Sequence, residues 1–332
     1  MIHCYDEWSQ IKEIIVGDCW NCSNTLDNTF KLFYWYNLSN KLSFNENNIK
    51  IKEQYIKERS EDLDNLANIL KSLNIIVYRP DSLKKINRIQ TPEWVSFDHP
   101  CDNPRDQFLI LGDTIIETSP FIRTRYFENQ LLYNVLWEQY NNGGKWIMMP
   151  RSRLIDENNN EIRFDGAQCM KFGRDILVNV RSEYHKRGFE WLKRHFSEYK
   201  WHSINLCEDH LDGKMIPICP GKILLNSSVY NKRHLFPSIF KNWEFLLHED
   251  LDQTQENIDE IYLASKEINV NILMINENLA VVRESNYDTI KILEKAKIDI
   301  IPIIFRHSRL FGGGIHCATL DLNREGNMEN YF

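Results

Sequence analysis

The feature that most constrains this chain is a short pattern that it repeats. Four times an apolar run is followed by a turn and a second apolar run, at residues 108–117, 169–178, 215–225 and 270–282. Each predicts a β-hairpin, because the Gly, Asp and Asn residues between the runs supply the positive φ that tight turns demand. A chain that repeats one such unit is expected to build its core by stacking the copies.

Apolar residues at helical spacing follow the hairpins, and each helical stretch leads into another strand. These passages run from Leu132 to a strand at 145–149, from Phe189 to 201–206, more weakly from Leu235 to 243–247, and from a helix capped by Asp288 to 298–304. A fifth helix (Leu63, Leu66, Leu70, Leu73) precedes a strand at 75–78, and strands at 11–17 and 317–322 complete that unit. Five ββαβ units predict an α/β fold, a five-bladed pseudo-symmetric propeller forming a single domain over residues 1–332.

The composition narrows the class of partner. The chain has 40 basic and 47 acidic residues and no long basic run, which argues against nucleic acid. No apolar stretch approaches the roughly 18 residues of a membrane span, and the first residues lack a signal-peptide pattern. We therefore expect a cytosolic protein that acts on a small molecule.

Eight cysteines are scattered along the chain, which favours reduced thiols over a disulfide framework. The one close pair is Cys19 and Cys22. It has neither a second CxxC nor an HxxxH partner, so two half-buried loop cysteines are favoured over a zinc site. We expect no metal and no cofactor.

Residues that carry chemistry precede each hairpin or closing strand. They are Asp106, Asp165, His210 with Asp212, Ser265, and Cys317. In a ring of equivalent units, equivalent positions lie at the same end of the axis. We therefore expect these side chains to meet in one central pocket.

The local pattern suggests which histidine serves Cys317. In an extended backbone His210 and Asp212 face the same way, whereas Leu211 turns into the core. By the same rule His316 points away from the adjacent Cys317, which makes His210 the better base. A nucleophilic cysteine needs a nearby imidazolium or a bound cation to lower its pKa.

Three convergent carboxylates indicate the substrate. The planar N–H fork of a guanidinium pairs bidentately with carboxylates. Asp, Cys and His together therefore favour an arginine-like substrate that is attacked at the central carbon of its guanidinium. The Gly312–Gly314 run gives conformational freedom and lets a substrate approach the backbone. Each signal also has a purely structural explanation, since a cysteine is usually a core residue and an HxD pair is usually part of a capped loop.

Several motifs together resemble the glycine amidinotransferase family of the guanidine-modifying, pentein-fold superfamily. They are EWSQIKEIIVGD, NPRD, IIET with RTRYFE, FDGAQCMKFGRDI, HLD with PGKILLN, and GGGIHCATLDLNREG, and they span nearly the whole chain. The resemblance implies a Cys317–His210–Asp165 triad and an amidino-cysteine intermediate. It further implies that Asp106 and Asp212 clamp the guanidinium, that Ser265 binds the amino-acid end of the substrate, and that the enzyme is a homodimer.

Three positions depart from the family pattern. Gln168 stands where a second acidic residue is common, Ala264 where the vertebrate enzyme has a serine, and Val229 where it has an arginine that holds the donor carboxylate. Lys232 or Arg233 could replace that arginine from a shifted loop. The chemistry is expected to be intact, but glycine is not carried over as the acceptor.

The sequence therefore predicts an amidinotransferase that uses L-arginine and a primary amine, in guanidino-compound or toxin biosynthesis. The main alternative is a deiminase-like or dihydrolase-like hydrolase with the same residues and water as acceptor. A papain-like protease is disfavoured because its cysteine precedes its histidine. A catalytically dead binding protein is disfavoured because every triad position is filled.

Overall fold

Short strands and short helices alternate along the chain. The computed structural model describes residues 1–19, 52–85, 87–155, 160–208, 210–249, 251–252 and 264–332. These residues form five α-helices, namely α1 (Glu53–Ser72), α2 (Pro104–Gln107), α3 (Tyr133–Asn141), α4 (Glu183–His195) and α5 (Tyr287–Lys295). None of the described helices is both long and apolar enough to cross a bilayer.

Four of the sheets share one plan, in which a hairpin is followed by a parallel third strand. They are β5 (Phe108–Leu111), β6 (Thr114–Glu117) and β7 (Lys145–Met148); β8 (Cys169–Phe172), β9 (Asp175–Asn179) and β10 (Lys200–Ile204); β11 (Met215–Cys219), β12 (Lys222–Asn226) and β13 (Glu244–His248); β14 (Leu273–Asn276), β15 (Leu279–Arg283) and β16 (Asp299–Ile303). In each sheet the middle strand pairs antiparallel with the first and parallel with the third. The four predicted hairpins are confirmed.

The fifth sheet joins the two ends of the chain. It consists of β1 (Ile11–Val16), β2 (Ile76–Tyr78) and β17 (Thr319–Arg324). The central strand β1 pairs antiparallel with β17 and parallel with β2, after the crossover through α1. The prediction that the terminal strands complete the unit without its own hairpin is confirmed. A small hairpin of β3 (Arg88–Gln90) and β4 (Val95–Phe97) was not predicted.

Burial falls from the first strands of a sheet to the third. Every residue of β5, β6, β8 and β9 is buried, whereas β7 and β10 are partly exposed. A strand covered on both faces needs apolar side chains at successive positions, which explains the continuous apolar runs of the hairpins. The third strands therefore lie at the outside, and the turns ahead of the first strands lie toward the interior.

The turns use two different solutions. Gly112, Gly173 and Gly221 adopt φ values of 60°, 67° and 85° in three of the hairpins, as predicted. The fourth hairpin does not use a positive φ. There the Asn276 side chain accepts a hydrogen bond from the Asn278 N–H at 2.9 Å, an Asx-type turn that tightens the chain without strain.

Two helix predictions are wrong in detail. Asp288 does not cap α5, because the capping position is Asn286, and the Asp288 carboxylate instead accepts from the Glu249 N–H. The weak helix at 235–240 is two 3₁₀ segments, Ser227–Leu235 and Ser238–Asn242. Pro237 separates them, since it cannot donate the next helical hydrogen bond.

Candidate active site

The predicted site residues lie in five short turns, each just ahead of the first strand of a sheet or of β17. Asp106 is in α2, Asp165 caps a 3₁₀ turn at Gly166–Gln168, His210 caps one at Leu211–Gly213 that contains Asp212, Ser265 caps one at Lys266–Val270, and Cys317 precedes β17. Consecutive turns contact one another from α2 to the turn at 266–270. The common position that the repeat predicted thus corresponds to contact in space.

His210 lies between two carboxylates. Its Nε2 is 2.9 Å from Asp165 Oδ2, and its Nδ1 is 3.3 Å from Asp106 Oδ1. Burial lowers the pKa of the imidazole, but the charge of Asp106 and the hydrogen bond and charge of Asp165 outweigh it and raise the pKa to about 9. His210 is therefore an imidazolium at neutral pH.

Cys317 is buried and touches two side chains through its sulfur. The Sγ atom lies 3.0 Å from Asp212 Oδ2 and 3.0 Å from Asn271 Nδ2. Burial and the nearby charges of Asp212 and Asp106 raise the pKa of the thiol well above its ordinary value. The group is thus a thiol that donates its proton toward Asp212.

Asp212 is ionised and has one oxygen to spare. Burial alone would raise the pKa of its carboxyl, but the hydrogen bond and charge of His316 lower it to about 2. The Oδ2 atom is shared by Cys317 and His316, whereas no donor from the described residues reaches Oδ1. A buried carboxylate oxygen without a donor is costly, so this atom is suited to receive a ligand N–H.

His316 does not point away from the site as predicted. Its Nδ1 lies 2.9 Å from the same Asp212 Oδ2 that Cys317 contacts, and its Nε2 lies 3.5 Å from Glu7 Oε2. The backbone here is a helical turn, in which Ala318 N donates to Gly314 O, and neighbouring side chains no longer face opposite ways. His316 thus bridges two carboxylates and fixes Asp212.

The HxD pair also rests on a different backbone from the one predicted. His210 is extended, but Leu211–Gly213 forms a 3₁₀ turn, so strict alternation does not apply. Leu211 is nonetheless buried in the core, as expected, and the charge of Asp212 still acts on His210. His210 and Asp212 therefore face the same region, but not because of the alternation of side chains along an extended strand.

Two curated proteins match nearly the whole chain. Inosamine-phosphate amidinotransferase 1 of Streptomyces glaucescens is 30% identical over 352 residues, which cover 100% of this chain and 99% of that protein. L-arginine:L-lysine amidinotransferase of Pseudomonas savastanoi pv. phaseolicola is 30% identical over 363 residues, 98% of this chain and 95% of that protein. The chain belongs to the amidinotransferase family. It is accordingly a transferase. A search against models of known protein families finds no match.

Solved structures agree with this assignment. Inosamine-phosphate amidinotransferase of Streptomyces griseus superposes with a TM-score of 0.90 at 29% identity, covering 100% of this chain and 99% of that one. The N-terminal domain of a cyanobacterial arginine dihydrolase superposes with a TM-score of 0.63 at 15% identity, covering 95% and 98%. That second likeness shows only that this amidinotransferase shares its α/β fold with pentein-fold hydrolases.

Ser265 of this amidinotransferase lies beside a lysine. Its Oγ is 3.0 Å from Lys214 Nζ, which is also 2.9 Å from Glu267 Oε2. Lys232 and Arg233, which the sequence suggested as replacements for the carboxylate-binding arginine, make other contacts. Lys232 Nζ donates to the Leu206 carbonyl at 2.7 Å, and the Arg233 guanidinium stacks on Tyr230 at 4.6 Å.

The three departures from the family pattern are all buried positions. Val229 belongs to the hydrophobic core cluster that also contains Phe236 and Leu225, so the valine is part of the core at that point. Gln168 is fully buried and places no formal charge there. Ala264 is also buried, and its carbonyl accepts from Arg309 Nε at 3.2 Å.

The glycine loop ahead of Cys317 is held by side chains rather than left open. Arg59, fully buried on α1, donates to the Gly313 carbonyl at 3.2 Å and pairs with both oxygens of Asp102. A Cβ atom on Gly313 would lie 2.1 Å from Asn103 Oδ1. Gly313 thus leaves no room for a side chain, whereas Gly312 uses the predicted conformational freedom at a φ of 74°. Approach of a substrate to this loop stays a prediction.

Sequence reasoning missed one more cation of the site. Arg125 donates to Asp106 Oδ2 at 2.6 Å and to both oxygens of Glu128 at 2.5 and 2.7 Å. It stands in the RTRYFE segment that supported the family resemblance, where an arginine between Thr124 and Tyr126 carries no positional signal of its own. The pair fixes Asp106 beside His210.

The described residues contain no group of three or more His, Cys, Asp or Glu side chains that could hold a metal ion. Cys19 is a buried free thiol, and Cys22 lies outside the described residues.

Proposed function

We propose that this enzyme transfers the amidino group of L-arginine to a primary amine through a covalent adduct on Cys317. The observation that carries the proposal is the contact between the Cys317 sulfur and Asp212, a buried ionised carboxylate with an oxygen to spare. A guanidinium bound by Asp212 would lie against the sulfur with its carbon exposed to attack. Its positive charge would also offset the carboxylate that keeps the thiol protonated.

In the first half-reaction the donor binds through its N–H groups to Asp212 and Asp106, and the Cys317 thiol loses its proton to solvent. The thiolate attacks the central carbon. His210 then protonates the departing amine as the C–N bond breaks, and ornithine leaves. Its Nδ1 is the atom suited to this step, because its 3.3 Å contact with Asp106 is the looser of the two. Asp165 holds the other nitrogen and orients the ring.

In the second half-reaction the acceptor amine attacks the amidino carbon of the adduct. His210, now neutral, takes the proton from the incoming nitrogen, and the Cys317 thiolate leaves. The imidazolium is restored, and the Cys317 thiolate takes back from solvent the proton that the thiol released, so protons balance over the cycle. Water must be kept from the adduct for transfer to outpace hydrolysis.

We propose that Ser265 and Lys214 meet the amino-acid end of the donor. They lie 3.0 Å apart, and Lys214 is a buried ammonium close in sequence to Asp212. The carboxylate of arginine would compete with Glu267 for this ammonium. We leave the acceptor as an unidentified primary amine and do not carry over glycine, because Val229 stands where the vertebrate enzyme of the family has its carboxylate-binding arginine. Matching proteins are named for inosamine phosphate and for lysine at 30% identity and for glycine at 27%.

The five three-stranded sheets are proposed to form the blades of a closed ring, as one domain over residues 1–332. Contacts between consecutive turns support this arrangement, and so does the bond from Arg105 Nε to the His316 carbonyl, which links α2 to the turn of Cys317. We further propose a cytosolic homodimer without a cofactor. Light scattering on the purified chain would test the dimer.

The test of the function is a product assay in which arginine is incubated with the enzyme, with and without a panel of primary amines. The proposal expects ornithine and a new guanidino compound only when an amine is present. Citrulline, or ornithine formed at the same rate without any amine, would identify a hydrolase instead. Cys317→Ala serves as the control for background turnover.

A further inference from the structure

The side chain of Asn271 contacts Cys317 at two points. Its Nδ2 lies 3.0 Å from Cys317 Sγ, and its Oδ1 accepts the N–H of Cys317 itself at 3.1 Å. The second Nδ2 hydrogen is directed at the Asp212 carbonyl, 3.1 Å away. One amide thus contacts the sulfur, the backbone of the same residue, and the loop that carries Asp212.

These contacts fix which end of the amide faces the sulfur. A carbonyl oxygen accepts only and a backbone N–H donates only, so Asp212 and Cys317 together require the nitrogen and oxygen to be placed as they are. Because one N–H is committed to the Asp212 carbonyl, the other is left to point at Sγ. The sulfur therefore receives an N–H donor whose direction is determined by its neighbours.

The packing around this amide is tight. Asn271 is buried, its own carbonyl accepts from Ile315 N at 3.2 Å, and a Cβ on Gly314 would lie 2.6 Å from its Oδ1. Glycine at 314 is thus required by the close approach of the amide. The loop ahead of the cysteine is shaped to accept this one side chain.

The two polar neighbours of the sulfur act in opposite directions. Asp212 accepts from the thiol and repels a thiolate, whereas Asn271 can donate to either form and binds the anion more strongly. We propose that Asn271 is a further catalytic residue, the donor that holds the Cys317 sulfur as a thiolate once a guanidinium engages Asp212. The same donor receives the leaving thiolate in the second half-reaction.

This inference rests on the proposed role of Cys317, but its test measures the thiolate without turnover. Iodoacetamide alkylates thiolates, and alkylation of Cys317 is followed in the tryptic peptide 310–324, where it is the one cysteine. Rates are measured from about pH 6 to 10, a range that brackets the pKa of an ordinary thiol. The variants are Asn271→Asp, which keeps the acceptor for Cys317 N–H and replaces the donor with a charge, and Asn271→Ala, which removes both.

The expected result is alkylation of Cys317 at least about tenfold slower at a given pH in both variants, the equivalent of one pKa unit. Amidino transfer should fall by at least the same factor. Asn276→Asp is the matched control. Asn276 is the last residue of β14, whereas Asn271 precedes the first, and the Asn276 side chain contacts Gln10. It should keep the alkylation profile of the unsubstituted enzyme.

Asn271→Asp with an unchanged alkylation profile would overturn the inference, and would assign the side chain to holding the backbone alone. Should one variant unfold, the other decides by the same measure. Full turnover in Cys317→Ala would instead overturn the proposed function. The two failures are therefore distinguishable.

Discussion

At the scale of single residues, the candidate site raises the pKa of both groups that are proposed to react. The Cys317 thiol is kept protonated by burial and by Asp212, and His210 is kept charged by Asp106 and Asp165. In the proposed mechanism the thiol stays protonated until a guanidinium binds, and the imidazolium supplies the proton for the leaving amine.

The pKa of His210 predicts the pH dependence of the first half-reaction. Release of ornithine in a single turnover should fall as pH rises through about 9, because the neutral ring cannot supply a proton. Asp165→Asn should move this descending limb of the pH profile to lower pH by about 1–3 units, since His210 loses the negative charge of the Asp165 carboxylate. Rapid-quench measurement of ornithine across pH checks both.

A matched control exists outside the site, where Asp175 Oδ1 lies 2.6 Å from His202 Nε2. Asp175→Asn should leave the descending limb in place. A limb that does not move in Asp165→Asn would contradict the role of the Asp165 carboxylate.

The raised pKa of His210 also affects folding stability. Because it is raised in the folded state, the stabilisation is complete below the ordinary value near 6.5 and is lost as pH rises toward 9.

Single residues also show where sequence reasoning stops. Asp106, Asp165, His210, Asp212 and Cys317 were found because each precedes a strand of the repeat. Asn271, by contrast, fell inside the apolar run assigned to a strand, and its role comes from contacts with residues 46 and 59 positions away. Periodicity carries no information on such pairs.

At the scale of elements, α1 reaches the site through one side chain. Arg59 is fully buried, pairs with Asp102, lies 4.2 Å from the Phe305 ring, and donates to the Gly313 carbonyl. Through this side chain the helix holds the loop that carries Cys317, the proposed nucleophile. Its leucine spacing predicted the helix, but nothing in that spacing predicted this contact.

Arg59→Met tests the link. The substitution preserves much of the buried volume but leaves the Asp102 carboxylate without its cation, which should cost about 3–5 kcal/mol in the free energy of unfolding. Urea titration measures the loss. The double variant Arg59→Met with Asp102→Asn removes the unpaired charge and should recover part of it. A stability loss below about 1 kcal/mol in the single variant would show that the pair is not structural.

Turn chemistry explains which elements the sequence predicts well. Glycines at positive φ identified three hairpins, and the apolar runs identified their strands because both faces are covered. The weak helix predicted from Leu235 is instead parts of two 3₁₀ segments, which are separated at Pro237. The strands β3 and β4 are three residues each, too short for a period to register.

At the scale of the whole molecule, charged groups are buried beneath the site. Glu7 pairs with Lys171 at 3.2 Å, and Asp321 pairs with Arg105 at 3.2 Å and with Arg324 at 3.0 Å. These residues come from three of the sheets or the turns ahead of them, so the pairs join the two ends of the chain to its middle. The repeat predicted the convergence of the sheets, but not that ion pairs occupy the place where they meet.

The central claim is that Cys317 carries the amidino group between donor and acceptor. The most direct measurement is mass spectrometry of the tryptic peptide 310–324 after the enzyme is mixed with arginine, without an amine, and quenched in acid. The account predicts one amidino group on Cys317, absent without arginine and discharged when an accepted amine is added before the quench. An unmodified peptide together with full turnover in Cys317→Ala would contradict it.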